Sequence, residues 1–321
     1  MHERMMSIVP VSIPRIGIRG IAYHFDETAP IDTIPTLQAD PELLAKFKKV
    51  GHERFAFSHV SITEQAVISA RQTLDRAGMA AADIDAVVIG TSELRGWNRF
   101  PEKIGNEILL ALGMNDILVV GVTIAGCANY ASALRVARNM IAVDGYRNVL
   151  VIETNQVRGN LDRVVASSQT GAPAYILADG ALSYIATTEA AEFSVLGMEQ
   201  IVKPVDPAQA DAATFITNNV GGFRHVTQCA LDRAGVRREQ ITQVFFHNIS
   251  LLLLRGLIDV TGFPLYKLFI DNVGRTSHVW GADNLIGLHD YCRAENPPSG
   301  ALFMLLCQAD TYYSAVVCQK L

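Results

Sequence analysis

The sequence predicts an α/β protein made of two similar halves related by an internal pseudo-twofold axis, and three observations carry that prediction. The first is a repeat: residues 74–90 read LDRAGMAAADIDAVVIG and residues 231–247 read LDRAGVRREQITQVFFH, 157 positions apart. A period of that length is too long for a solenoid and fits a duplicated supersecondary unit. The second is the content of each copy. A helical stretch stops at Gly78 or Gly235, where a residue without Cβ can take the left-handed cap, and a loop and an apolar strand follow. The third is composition, since 321 residues with 50% hydrophobic and 18% charged side chains can bury a large core and are not disordered.

Taken in order, the first half reads as buried strands near residues 84–91, 117–122, 149–154 and 181–187 alternating with helices, which suggests a mixed sheet. In the second half, strands near 243–247, 301–307 and 313–318 surround helices near 212–234, 250–260 and 285–293, the last two strands forming a terminal hairpin. The polar, proline-containing stretch 203–211 (KPVDPAQAD) reads as a connector. The division expected is an N-terminal half, 1–190, and a C-terminal half, 191–321.

Charge and apolar runs exclude several classes. The net charge is −5 with no Lys/Arg-rich run, so nucleic acid is not the expected partner. Pro10 and Pro14 interrupt the apolar N-terminus, and the run Leu251 to Leu254 is too short to span a bilayer, so a soluble, cytoplasmic protein is expected. The five cysteines (Cys127, Cys229, Cys292, Cys307, Cys318) lack paired metal spacing and read as reduced thiols, with no metal or cofactor site expected.

The chemistry-bearing segment is GVTIAGCANY, residues 121–130, in which a strand leads through small residues to Cys127 and then to the helix-forming ALRVARNMIA. Unpaired N–H groups at a helix start favour a thiolate and so a better sulfur nucleophile. Taken alone, a cysteine flanked by Ala and Gly reads more readily as packed core. The repeat changes that reading, because the position equivalent to 127 in the second half is 284, beside Asp283, and Gly90 corresponds to His247. Thiol, imidazole and carboxylate thus fall at equivalent points of one duplicated frame. Taken alone, His247 would be a half-buried structural histidine and Asp283 a helix N-cap.

The chain resembles the β-ketoacyl-acyl-carrier-protein synthase III group of the thiolase superfamily, over almost its whole length. The residues carrying the likeness are AGCANYA around Cys127, Ala178-Asp179-Gly180-Ala181, the LDRAG-led strand ending in His247-Asn248, and Gly274-Arg275-Thr276-Ser277. The resemblance implies a thiolase-like five-layered α-β-α-β-α fold, a homodimer, and an acyl donor carried on coenzyme A or on the phosphopantetheine arm of an acyl carrier protein. It implies Cys127 as nucleophile and His247 as its partner base. Two departures stand out. Arg275 occupies a position where these synthases usually carry Asn, and the stretch from Cys307 to Asp310 replaces a glycine-rich loop that supplies an oxyanion N–H.

A branch resembling these enzymes transfers acyl groups to hydroxyl or amine acceptors with Cys, His and an Asp further along, and HVWGAD, residues 278–283, matches its pattern. A carboxylate on one imidazole nitrogen fixes the tautomer and lets the other nitrogen take a proton, whereas the same charge beside a forming enolate disfavours condensation. The expectation is therefore an acyltransferase acting through a Cys127 thioester in specialised metabolism, with catalytic residues Cys127, His247 and Asp283. Asn248, Arg275 and His278 are expected to line the substrate site. The alternatives are a decarboxylative β-ketoacyl synthase and a noncatalytic thiolase-fold partner subunit. Trp97, Phe100 and Trp280 read equally well as core, interface or tunnel wall.

Overall fold

The computed structural model describes residues 14–92, 101–158, 161–166, 171–206 and 211–321. Thirteen strands are described: β1 (Gly17–His24), β2 (Glu27–Pro30), β3 (Arg54–Phe57), β4 (Ala86–Gly90), β5 (Leu118–Val122), β6 (Asn148–Asn155), β7 (Val164–Ala166), β8 (Pro173–Ile176), β9 (Gly180–Thr187), β10 (Phe193–Val202), β11 (Ile241–Phe245), β12 (Leu302–Ala309) and β13 (Tyr312–Lys320). The helices are α1 (Pro35–Ala39), α2 (Pro41–Lys49), α3 (Ile62–Ala77), α4 (Pro101–Leu112), α5 (Asn129–Asn139), α6 (Ala212–Ala234), α7 (Leu251–Thr261), α8 (Asp271–Arg275) and α9 (Asp283–Glu295).

Nine strands form one mixed sheet in the order β11-β12-β13-β10-β1-β9-β6-β4-β5, and two short pairs, β2-β3 and β7-β8, stand apart. The nine-strand sheet is two arms joined at a narrow seam, where β1 meets β10 through only Gly17 with Ser194 and Ile18 with Phe193. In each arm the repeated segment does the same thing. Helix α3 ends at Gly78 (φ 61°) and α6 at Gly235 (φ 65°), a one-turn 3-10 helix follows, and β4 or β11 enters the sheet in a parallel pair. The duplication read from the sequence is thus present in the backbone.

Alternating side chains along these strands divide the core into layers. Val87 and Ile89 of β4 pack outward with Ala66, Ala70 and Leu74 of α3, while Ala86 and Val88 face the inner cluster that holds Tyr130 and Leu134 of α5. In the other arm, Met304 and Leu306 of β12 pack outward with Phe223 and Val226 of α6, and Phe303 and Leu305 face inward towards Leu285 and Ile286 of α9. Helices α5 and α9 therefore lie between two sheet arms whose outer faces carry α3 and α6, the five-layered arrangement expected. Each large aliphatic buried in this way contributes about 1.5–3 kcal/mol.

Three features differ from the sequence reading. Strand β5 is present, but it is an edge strand and not a buried one: Leu118 is 46% and Val119 37% exposed, because β5 pairs on one side only. Strands β1 and β10, which build the seam, have no counterpart in the reading because their alternation is interrupted. In β1 the interruption is Gly20, with φ 68°, where a Cβ would lie 2.7 Å from the Thr73 carbonyl oxygen. The expected strand ending at His247 stops at Phe245, which leaves His247 in the loop beyond it. Trp97, Phe100 and part of the 203–211 connector lie outside the described residues. Among the described residues, no helix is long and apolar enough to cross a membrane.

Candidate active site

Cys127 sits in a single 3-10 turn, Gly126–Ala128, between β5 and α5. Two local devices hold that turn. Gly126 takes φ 52°, with Ala309 of the β12–β13 hairpin 3.0 Å from where a Cβ would be, and Asn129 clamps the loop. The Asn129 Oδ1 accepts from the Ala125 N–H at 3.0 Å, while its Nδ2 donates to the Thr91 carbonyl at 2.9 Å. The carbonyl of Cys127 accepts from the Cys307 thiol at 2.9 Å. The thiol is partly accessible, as a nucleophile must be.

The imidazole beside Cys127 belongs to His278. Its Nε2 lies 3.1 Å from the Cys127 Sγ, and its Nδ1–H donates to Asp283 Oδ2 at 2.5 Å. His278 is held by backbone bonds on both sides, its N–H to the Ile176 carbonyl and its carbonyl from the Ala178 N–H, each at 2.9 Å. Left-handed residues bracket it, Ser277 (φ 53°) and Trp280 (φ 54°), so the chain doubles back and brings Asp283 against the same ring. Sequence reasoning paired Cys127 with His247, and the structure corrects that pairing. His247 Nε2 is occupied by the backbone of Gln308 (N 3.2 Å, O 3.0 Å) and by the Cys307 Sγ at 2.9 Å. Its Nδ1 stands 3.7 Å from Asp283 Oδ2, too far for a hydrogen bond.

Asp283, expected among the catalytic residues, is buried and is the first residue of α9. It is not a helix N-cap. Its oxygens accept from the Val279 N–H at 2.7 Å, from the Asn248 N–H at 2.9 Å and Nδ2 at 3.0 Å, and from His278. Asn248 is thereby a holder of Asp283, and also donates to the Ser277 carbonyl at 3.0 Å. Arg275 is not brought to the cluster. Its guanidinium turns away to Asp290 and to Asn272 Oδ1, the latter at 2.9 Å, so the substrate contact expected of it has no support. The sequence did hold the signal for His278, a histidine five residues before Asp283 in a turn that precedes a helix. It was outweighed by the repeat, which pointed to His247.

The two histidines differ in charge preference. Burial opposes a charge on His278, but the Cys127 sulfur and the Asp283 carboxylate beside it raise its pKa to about 10, so a proton is retained at neutral pH. His247 is shifted down: burial dominates and the neighbouring His278 charge adds to it, against the opposing pull of Asp283. Asp283 stays below the ordinary carboxylate range despite its burial, because His278 and His247 favour its charge. The arrangement is a sulfur–imidazolium pair oriented by a carboxylate, with a second, neutral imidazole behind it.

Ligand atoms of His247, His278 and Asp283 lie within 4.8 Å of one another, as do those of Glu199, His225 and Cys229. Neither set is free for an ion. His278 already bonds both Cys127 and Asp283, and Glu199 is paired with Arg233 at 2.8 Å and Arg135 at 3.9 Å. The stretch from Cys307 to Asp310 closes the site from the hairpin side. Asp310 takes the left-handed φ of 49° in the turn, and the Gln308 N–H donates to His247 Nε2 at 3.2 Å.

Comparison with known proteins agrees with this frame. No family model matches the chain. The chain is 23% identical over 252 residues, covering 71% of it and 68% of the relative, to β-ketoacyl-[acyl-carrier-protein] synthase III 2 of Vibrio vulnificus. It is 29% identical over 233 residues, covering 64% of it and 66% of the relative, to the mycobacterial β-ketoacyl-[acyl-carrier-protein] synthase III of Mycobacterium tuberculosis. The solved structure of the acyltransferase ChlB3 superposes with a TM-score of 0.83 at 18% identity, covering 96% of this chain and 98% of that one. The fold is thiolase-like. By sequence the chain is similar to these β-ketoacyl-[acyl-carrier-protein] synthase III proteins.

Proposed function

We propose that the protein is an acyltransferase that carries an acyl group as a thioester on Cys127 and passes it to a hydroxyl or amine acceptor. The observation that carries this reading is the Cys127–His278–Asp283 line, 3.1 Å from sulfur to imidazole and 2.5 Å from imidazole to carboxylate. In the first half-reaction the Cys127 sulfur attacks the thioester carbonyl of an acyl-coenzyme A or acyl-carrier-protein donor. A carbon–sulfur bond forms, the donor thiolate leaves, and His278 gives it the Nε2 proton.

Acylation removes the sulfur charge that raised His278, so its Nε2 becomes able to accept a proton. In the second half-reaction that nitrogen takes the acceptor's proton as oxygen or nitrogen attacks the acyl carbon. Cys127 leaves as thiolate and the ion pair is restored. Asp283 holds the tautomer and stabilises the imidazolium, the role of the carboxylate in hydrolase triads. The Cys127 N–H, at the turn before α5, faces the developing oxyanion.

Intact-mass measurement after mixing with acyl-coenzyme A donors tests the reading. An acyl adduct that disappears in Cys127→Ala is expected, and transfer to small alcohols or amines should discharge it. No adduct with any donor, or one unaffected by Cys127→Ala, would overturn the proposal. The names of the curated relatives favour a second reading, decarboxylative condensation. Carbon dioxide released from a malonyl thioester in a Cys127-dependent manner would establish it instead. A buried carboxylate 2.5 Å from the site imidazole opposes an enolate there.

A homodimer belongs to the same proposal. Among the described residues the outer edge of β5 is unpaired and apolar, with Leu118, Val119 and the neighbouring Ile124 exposed at 46%, 37% and 83%. A second copy of the same edge would satisfy both its backbone groups and its side chains.

A further inference from the structure

The acylation mechanism leaves a buried carboxyl with no hydrogen-bond partner unused. Glu153, near the end of β6, is 0% exposed, and neither carboxyl oxygen has a hydrogen-bond partner. Its neighbours on the strand, Ile152 and Val151, are apolar and fully buried, as a strand inside an α/β core normally requires. Two glycines make the room. A Cβ on Gly90 would fall 2.0 Å from the Glu153 Oε1, so the carboxyl fills the space a side chain at 90 would need. A Cβ on Gly281 would lie 3.4 Å from the Glu153 Oε2, 3.2 Å from the Cys127 carbonyl oxygen and 3.5 Å from the Tyr130 backbone nitrogen.

Those last three atoms locate the carboxyl. Gly281 belongs to the turn between His278 and Asp283, and the Cys127 carbonyl and Tyr130 N–H belong to the nucleophile turn and the first residues of α5. The Gly126–Ala128 and Trp280–Ala282 turns touch each other, and β6 touches the second. Glu153 therefore stands where the two reactive segments meet. We propose that Glu153 is a positioning residue of this site: a carboxyl wedged behind the junction of the Cys127 turn and the His278–Asp283 turn, fixing the distance between sulfur and imidazole.

The inference rests on the acyl-enzyme reading for its purpose but not for its test. Burial pushes the Glu153 carboxyl up to about 8, which keeps it uncharged at neutral pH. The titratable groups that feel it are the Tyr184 hydroxyl of β9 and the Cys307 thiol of β12, both buried and both raised well above their ordinary values, while the Cys127 turn and the His278–Asp283 turn meet beside it. Ionisation of Glu153 would place a negative charge behind the junction of the two turns.

The experiment is the rate of Cys127 alkylation by iodoacetamide between pH 6 and 9.5, read by peptide mass spectrometry on the full chain, for wild type, Glu153→Gln and Glu153→Ala. No acyl donor is used, so the result stands whether or not Cys127 is acylated, which the donor experiment with Cys127→Ala decides separately. Ionisation of this carboxyl above about pH 8 is expected to hold the wild-type profile below that of a variant that cannot ionise. Glu153→Gln, which keeps the shape, should stay within about twofold of wild type at pH 7 and exceed it above pH 8. Glu153→Ala, which removes the wedge, should react on the order of tenfold more slowly at pH 7, as expected when a reacting group is misplaced by a fraction of an ångström. A Glu153→Gln profile that coincides with wild type above pH 8 would overturn the proposal, and so would an Ala variant that reacts like wild type. If the Ala variant does not fold, the Gln profile decides alone.

Discussion

His247 and His278 have ring centroids 5.0 Å apart and both face Asp283, yet their surroundings separate them into a neutral and a protonated imidazole. Only His278 reaches the Cys127 sulfur. His278→Ala should lower the rate of Cys127 acylation by about 10²–10⁴-fold, with His247→Ala losing clearly less; single-turnover mass spectrometry checks both. Cys127→Ala should lower the pKa of His278 from about 10 towards the ordinary imidazole range, because the sulfur is the largest of the influences raising it, and imidazole NMR titration reads that shift. At this scale the sequence singled out Cys127 and Asp283 through their helix-start contexts and their places in the repeat. It did not show that the imidazole in contact with both is that of His278. That depended on two non-glycine residues with positive φ, Ser277 and Trp280, whose conformation no residue-type preference announces.

Elements were legible where the apolar pattern was continuous. Helix α6 occupies the predicted span 212–234, and the terminal hairpin β12–β13 pairs as expected from Leu302 with Gln319 to Ala309 with Tyr312. Strand β5 was legible as a strand but not as an edge, because exposure of an apolar run depends on what lies beside it. A Val119→Lys change on that edge should shift the protein from twice the chain mass to the chain mass in sedimentation, leaving its helix and sheet content unchanged. Strand β1 was lost to Gly17 and Gly20. Gly20→Ala should destabilise the fold by about 1–3 kcal/mol, since it adds a left-handed strain to a 2.7 Å clash with the Thr73 carbonyl oxygen. Chemical denaturation measures it.

Over the whole molecule, the raised groups of the site act on stability in one direction. Glu153 holds a proton in the folded state up to about pH 8 that the unfolded chain releases near its ordinary 4.5, so stability falls as pH rises through that window. His278, raised from 6.5 to about 10, contributes stability that is complete below 6.5 and is lost as pH climbs through 10. Thermal unfolding should therefore show a melting temperature that declines from pH 6 to pH 9. Glu153→Gln should flatten the lower part of that decline. The duplicated architecture was the most legible feature of all, because LDRAG at 74 and at 231 marks the same helix end in both arms.

The duplication has not left two equal sites. The residue that matches Cys127 in the second arm is Asn284, and its Nδ2 ties the Phe245 and Leu306 carbonyls together at 3.1 and 2.6 Å. One arm thus presents a reagent where the other presents a strut. A cysteine put at 284 would give up two bonds that join neighbouring strands, and would sit enclosed in the interior with no route for a substrate to reach it.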